Sequence, residues 1–538
     1  MRHVEIAARA SQREDLARRL TGRFYTPGGL ARRLAAAALD AGARPRTLSD
    51  PFCGDGRLVH AFLEEAAARV PPILARLRRI VLWDHDGPAV EAAARRTRAL
   101  LAALGLRGCR VEAWRGDTFE RAGAAAGAHD LVLTNPPWEL LKPDARDGVG
   151  SARSAYVASL RAYAARLAAA HPGAASARGK AMTGYGVNLA RAGALASAAL
   201  VARGGRLAIV LPASLFADQA SAPFREAFLG ALRVEAIDWF PAEARLFEGV
   251  DQPVLLCLGR APGPTAALSL ARHGPDQGLL ERRVLRLESL AAPLPLAVGG
   301  EQAALAAGLA REHPPLSSLE EDARTGLWLG RELDETRIGE ALAPAGRGVP
   351  FLKGRHVFPW ELRPDPPLFV DPSLRRIPAT VRERRLAWRD VSRPNQRRRM
   401  HAALLPPGAV TGNSLGVAFF RRGGRDRLPV LLAVVNSLAF ELQVRASLAT
   451  AHVSQGVLRR CAVPAPAFGA PRIAGRIRAA AAARLRARGE RPEVEVAVAR
   501  AYGLRREAFA ALLEAFPKLG AVEREALLAD ELWRGAGW

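Results

Sequence analysis

The chain has 538 residues, too long for one hydrophobic core, so two or more domains are expected. Lys and Arg number 78 against 53 Asp and Glu, and the net charge of +25 points to a polyanionic partner bound in a salt-dependent way. No uninterrupted run of 18 apolar residues occurs and Met1-Arg2-His3-Val4-Glu5 lacks a signal-peptide core, which argues against a membrane partner and for a cytoplasmic location. Nearly all of the positive charge is Arg, since Lys142, Lys180, Lys353 and Lys518 are the only lysines; with the heavy Ala and Gly usage this reads as compositional bias rather than selection for Arg. Cys53, Cys109, Cys257 and Cys461 lie far apart, and no Cys or His cluster has metal spacing, so reduced thiols and no metal are expected.

Residues 1–20 read as helical and polar, and an α/β core follows from about 21 to 262. Its first strand ends at Asp50, and Pro51-Phe52-Cys53-Gly54-Asp55-Gly56 turns tightly into a helix starting near Leu58. Glycines at 54 and 56 let backbone approach a ligand closely. The loop is not G-x-G-x-x-G, so no nicotinamide cofactor is indicated. Ile80-Val81-Leu82-Trp83 predicts a second strand ending in Asp84, an acid placed to meet two ribose hydroxyls. A third unit ends at Gly116-Asp117-Thr118-Phe119, where Asp117 can accept from an adenine amino group. A fourth strand, Asp130 to Leu133, delivers Thr134-Asn135-Pro136-Pro137-Trp138. Each aspartate alone also reads as an ordinary cap or turn residue. Four strand ends in register, each carrying a residue that a nucleoside needs, are a more specific pattern, because open α/β sheets bind ligands beyond those ends.

The Asn-Pro-Pro-Trp stretch fits one chemistry in particular, methylation of a planar exocyclic amine. The lone pair of such an amine is delocalised into its ring. Two acceptors aimed at its N–H groups, the side-chain oxygen of Asn135 and the carbonyl of Pro136, favour a localised lone pair. Pro136 and Pro137 stiffen the loop, and Trp138 offers a face for a base to stack on. The plain alternative is a strand-ending turn with a core Trp.

On these residues the chain resembles the S-adenosylmethionine-dependent amino-methyltransferases of DNA in the gamma arrangement, like the TaqI methylase and the methylase parts of type IIG restriction-modification enzymes. The resemblance covers residues 20–262 and, less sharply, 340–465. Phe24-Tyr25-Thr26-Pro27 is similar to the leading cofactor motif, with Thr26 facing the methionine part. Asp50, Pro51, Cys53, Gly54 and Gly56 are similar to the cofactor glycine loop, Asp84 to the ribose-binding acid and Asp117 to the adenine contact. Asn135-Pro136-Pro137-Trp138 is similar to the catalytic motif, with Trp where Tyr or Phe is more frequent. Gly204-Gly205-Arg206 followed by an apolar run, and the hairpin Arg245 to Val250, resemble later elements, which makes Phe247 a second stacking candidate. A core Phe is the competing reading there.

The resemblance implies a Rossmann-like methyltransferase sheet with helices on both faces, a mixed α+β target-recognition domain and a helical C-terminus. The expected division is a methyltransferase domain at 1–262, a connecting region at 263–340, a DNA-binding domain at 341–465 and C-terminal helices at 466–538. Residues 143–186 are expected to form a long loop over the target base. In the recognition domain, Lys353, Arg355, Arg389, Arg393, Arg397 and Asn413 are the candidates for phosphate and base-edge contacts, against the plain reading of a solvated basic face.

The implied activity is transfer of a methyl group from S-adenosylmethionine to N6 of an adenine flipped out of duplex DNA, in a restriction-modification or phage-defence setting. N4-cytosine, RNA and protein amines are the alternatives. A monomer on double-stranded DNA is expected, with any restriction endonuclease or other defence protein separate. No nuclease motif precedes the core, and Gly179-Lys180-Ala181 lacks the hydroxyl of a phosphate-binding loop.

Overall fold

The structure, a computed structural model, describes residues 25–141, 151–175, 187–335, 338–343, 348–363, 368–373, 376–393, 396–448, 450–487 and 491–535. They fall into two compact units that divide at Leu296 and Ala297.

The first unit is built on a nine-stranded sheet. Its strands are β1 (Thr47–Asp50), β2 (Arg79–Asp84), β3 (Arg110–Arg115), β4 (His129–Thr134), β5 (Val201–Pro212), β6 (Arg233–Phe240), β7 (Val254–Arg260), β8 (Ala267–His273) and β9 (Leu279–Arg286). The spatial order is β3-β2-β1-β4-β5-β7-β6-β8-β9. Strands β1 to β5 pair in parallel, and β7 runs antiparallel to both β5 and β6. The central strands β2 and β4 carry short apolar runs because both faces are covered, whereas β3, at the sheet edge, is of mixed polarity. Leu131 and Leu133 face a cluster with Leu34, Val59 and Val90. These come from the helices α1 (Gly28–Asp40), α2 (Arg57–Arg69) and α3 (Gly87–Ala103). Val132 points the other way by the period-two rule. Two further helices, α4 (Thr118–Ala122) and α5 (Ser151–Ala170), precede α6 (Leu189–Leu200), which packs against β4 and β5.

The chain leaves β1 toward β2 and β3, then returns to β4 on the other side of β1. This reversal opens a crevice at the carboxyl ends of β1 and β4. Register there is fixed at the opposite end by Asp130, whose Oδ2 accepts from Arg46 N (2.8 Å), Thr47 N (2.9 Å) and Thr47 Oγ1 (3.1 Å).

Two expectations about boundaries differ from what is found. The sheet does not close at 262 but continues through β8 and β9 to Arg286. Strand β9 is an edge strand whose Leu279, Leu280 and Val284 are 55%, 62% and 69% exposed; its burial alternates, but the exposed row Leu280, Arg282, Val284 and Arg286 mixes apolar and basic residues, so its polarity does not. Residues 143–186 are not simply a loop, since 151–170 form the helix α5; positions 142–150 and 176–186 lie outside the described residues.

The second unit is mixed α+β. One antiparallel sheet runs Leu327–Gly330, Leu415–Phe420, Arg385–Arg389, Ala402–Leu405 in spatial order. A second, smaller sheet contains Val349–Leu352 and Val410–Thr411. The C-terminal helices are not separate from it, because Leu386 and Trp388 share one apolar cluster with Ile477, Val498 and Phe509. Among the described residues no single helix is long and apolar enough to cross a membrane; the bent pair Gly424–Asn436 and Leu438–Ala446 is largely buried in that cluster.

Arg385 and Glu332 form an ion pair with both side chains fully buried. Glu332 also accepts from Thr411 N (2.8 Å) and Thr411 Oγ1 (2.9 Å), which ties the two sheets together. Removing one member leaves a buried charge unpaired. Arg385→Met is expected to destabilise the second unit by about 3–5 kcal/mol. Chemical denaturation followed on this unit reads it, and an unchanged midpoint would contradict the assignment.

Candidate active site

A cavity of about 420 Å³ opens at the carboxyl ends of β1 to β4, within the size range of small-molecule and cofactor sites. The glycine loop forms its floor. Cys53 N donates to Trp83 O (2.9 Å), which holds the loop to β2. Gly54 and Gly56 have φ of 48° and 84°, and a Cβ at Gly54 would lie 2.9 Å from the Tyr25 ring. Only glycine meets both conditions there. The Pro51 carbonyl accepts from Thr118 Oγ1, which joins this loop to the start of α4. Cys53 is buried and burial raises its thiol well above the usual range, so it serves as a small packed residue.

Six carboxylates line the cavity: Asp55, Asp86 and Glu139 join the three that the sequence singles out, Asp50, Asp84 and Asp117. Asp84 accepts from Gly54 N (2.8 Å) and Asp86 N (2.9 Å) and lies 3.1 Å from His85 Nδ1. Burial alone would raise its pKa, but these hydrogen bonds outweigh that and hold it below the usual range. Asp84 therefore stays ionised and shapes the loop. Asp117 caps α4, its Oδ1 accepting from Phe119 N (2.9 Å). Asp50 is the most buried of the three, at 1% exposure. Its Oδ1 accepts from Thr134 Oγ1 (2.7 Å) and Phe52 N (3.2 Å), while Oδ2 is buried with no hydrogen-bond partner among the described residues. Burial pushes its pKa up to about 7 despite those bonds, with Asp84 and Asp55 adding to the rise. A buried carboxylate of this kind suits a cationic ligand group.

Asn135 follows β4 directly. Its Nδ2 donates to Thr26 Oγ1 (3.1 Å), which fixes the plane of the amide. Thr26 is expected from the resemblance to face a cofactor; it lines the cavity, is 6% exposed and holds Asn135. Pro136 is buried against α6, where a Cβ at Gly193 would lie 2.5 Å from Pro136 Cβ. Sequence reading missed Gly193, because a lone helix glycine carries no signal until its neighbour is known. Pro137 and Trp138 line the cavity. Phe247 meets Trp138 edge to face, with ring centroids 5.0 Å apart. Phe247 is 3% exposed and lies in the core cluster, so it braces Trp138 from behind, and Trp138 is the ring that fronts the cavity. Phe24 lies outside the described residues.

In the second unit the basic candidates divide. Lys353, Arg355 and Arg389 line one shallow pocket with Glu335, Val391 and Ser414. Lys353 Nζ pairs with Glu335 (2.7 Å), and Arg355 Nε meets His356 Nε2 (3.1 Å). Arg389 commits Nε and Nη2 to the carbonyls of Gly354 (2.9 Å) and Val357 (2.8 Å), so it braces a turn. Arg397 is ion-paired with Glu523, and Asn413 Nδ2 lies 3.5 Å from Asp334 Oδ1. Arg393 is exposed, and its neighbours Pro394 and Asn395 are outside the described residues. Among the described residues no group of His, Cys, Asp and Glu could hold a metal ion.

No protein-family model matches the chain, and no curated protein sequence matches it. Among solved structures it shares its fold with DrdV in a DrdV–DNA complex, at 11% identity and a TM-score of 0.52, over 83% of this chain and 57% of that one. It also shares its fold with the ATP-dependent type ISP restriction-modification enzyme LlaBIII bound to DNA, at 9% identity and a TM-score of 0.50, over 79% of this chain and 37% of that one. The chain thus spans just over half the length of the first of these two solved chains and just over a third of the second. At these identities the likeness is one of fold.

The raised pKa of Asp50 sets a pH dependence. Between its ordinary value of 3.8 and about 7, the folded protein keeps a proton that the unfolded chain releases. Stability contributed by this group is therefore full below 3.8 and is lost as pH rises through about 7. The unfolding midpoint of Asp50→Asn, relative to the parent, is expected to climb across that window and level off above it. Thermal melts of both proteins from pH 4 to 9 check this, and a difference independent of pH would contradict it.

Proposed function

We propose that this chain is an S-adenosylmethionine-dependent DNA methyltransferase acting on the exocyclic N6 of an adenine flipped out of the duplex, within a restriction-modification or phage-defence system. The observation that carries this reading is one cavity lined by Asn135-Pro136-Pro137-Trp138 and by the carboxylates of Asp50, Asp84 and Asp117. The residues fit the cofactor. The buried Oδ2 of Asp50 suits a cationic amino-acid part, Asp84 two ribose hydroxyls and Asp117 an amino group on a purine. When bound, S-adenosylmethionine supplies a methyl group on a cationic sulfonium.

The chain's own part is to prepare the amine. Asn135 Oδ1 and the Pro136 carbonyl accept its two N–H groups and localise the lone pair on nitrogen. Thr26 keeps the amide plane of Asn135 fixed. Pro137 stiffens the loop, and Trp138, braced by Phe247, takes the face of the base. No general base is assigned. DNA as the substrate class is supported by the net charge of +25, and by the two fold neighbours being, by their names, DNA complexes.

The test is the modified-base content of plasmid DNA from a methylation-free host expressing the protein, read by mass spectrometry. N6-methyladenine is expected with the parent protein and absent with Asn135→Ala. N4-methylcytosine would keep the amine chemistry and change the base, and no modified base would overturn the DNA reading. In purified protein, Asn135→Ala is expected to lower turnover by about 10²- to 10³-fold with cofactor affinity nearly unchanged. Asp84→Ala should mainly weaken cofactor binding. Calorimetry beside single-turnover rates separates the two effects, and the reverse pattern would refute the assignment of roles.

A further inference from the structure

The shallow pocket of the second unit is built around one pair of opposite charges. Lys353 directly follows the strand Val349–Leu352, and its Nζ lies 2.7 Å from Glu335 Oε2. The two side chains are 28% and 24% exposed and line the pocket with Arg355, Val391 and Ser414. Both are held by their surroundings. Gly354 N donates to Ser414 Oγ (3.0 Å), and that hydroxyl donates in turn to Glu335 Oε1 (3.5 Å). Lys353 N donates to His356 Nδ1 (3.0 Å), and Arg389 Nε donates to the Gly354 carbonyl (2.9 Å), so the turn that carries Lys353 is fixed on both sides. A Cβ at Gly412 would lie 2.5 Å from Glu335 Oε1, so a glycine stands where the carboxylate needs room. A partly exposed ion pair contributes little to stability, and the fully buried pair of Arg385 and Glu332 already ties this unit together.

We infer that Glu335 and Lys353 together read one base pair of duplex DNA, a G·C pair with its cytosine on the Glu335 side. The inference rests on the DNA reading proposed above and adds to it one position of the recognised sequence. In the major groove the cytosine amino group and guanine O6 sit side by side, joined by their own hydrogen bond at about 2.9 Å. An acceptor and a donor 2.7 Å apart match those two atoms one for one. The carboxylate accepts from cytosine N4, and the ammonium donates to guanine O6 and N7. An A·T pair offers an amino group and a carbonyl in the same order but fits less well. Its adenine N7, an acceptor, then faces the carboxylate, and its thymine methyl faces the ammonium. A pair of reversed orientation sets a carbonyl against the carboxylate and an amino group against the ammonium. The two charges thus specify base type and strand at once, which neither does alone.

The test uses the full chain and the methylated sequence motif, mapped by sequencing plasmid DNA from a methylation-free host. The parent motif is expected to contain one G·C pair that the double variant Glu335→Lys with Lys353→Glu turns into C·G, with every other position unchanged. The double variant exchanges the charges and keeps an ion pair in place. Glu335→Ala alone is expected to relax the same position. On duplex oligonucleotides carrying each base pair there, its discrimination should fall by about 10- to 100-fold. A motif unchanged in both variants, or an equal loss of methylation at all sites, would overturn the inference while the methyltransferase reading stands. If the parent chain methylated no base in DNA, that reading would fall and this inference with it.

Discussion

The hydrogen bond from Thr134 Oγ1 to Asp50 Oδ1 holds together the two strand ends on which the site depends. Strands β1 and β4 are neighbours in the sheet but belong to opposite branches of the chain path. Beyond their last residues the two branches separate. One becomes the glycine loop and the other the Asn-Pro-Pro-Trp loop. Thr134 is fully buried and Asp50 nearly so, so the bond is shielded from water and both loops start from a fixed edge. Asn135 and Gly54 are therefore set by core strands, and the later loop contacts, to Thr26 and Asp84, refine positions already given.

The second unit shows a different use of charge. Arg398 is paired with Glu441 and Glu495, Arg445 adds to Glu441, and Arg385 is buried with Glu332. Asp390 is held by Arg331 (2.7 Å) and His452 (3.1 Å). These groups are committed to the fold, and a broken member would leave its partner stranded. The Arg397-Arg398-Arg399 run is an example. Its first member is exposed and ion-paired, its second bridges two glutamates, and its third is buried against the carbonyls of Ser392 and Thr450. A count of basic residues along a chain says nothing about this division.

What the sequence showed of the site follows from sheet physics. A parallel strand buried on both faces is a short apolar run, and the first polar residue after it marks a carboxyl end. Asp84 after Ile80-Val81-Leu82-Trp83, and Thr134-Asn135 after Leu131-Val132-Leu133, stand out by that rule, whereas Asp50 and Asp117 follow strands of mixed polarity and are marked by the glycines near them. Thr26 and Gly193 owe their roles to approaches across 109 and 57 positions of chain, to Asn135 and Pro136. No local pattern encodes such approaches. The edge strand β9 is hidden for the opposite reason, since a strand whose solvated row mixes apolar and basic residues imitates a linker. Phe247 was legible as an aromatic of the hairpin, but its burial behind Trp138 was not.

The Asp50 carboxyl, raised to about 7, gives the cavity a property of its own. Near neutrality this buried group is divided between its acid and its anion. A cation arriving against Oδ2 favours the anion, so the proton is expelled as the cation enters. For a cationic ligand, entry is then an ion exchange at Asp50, one positive charge traded for another. Below that pH the proton competes directly, and affinity for a cationic ligand falls by up to about tenfold per pH unit.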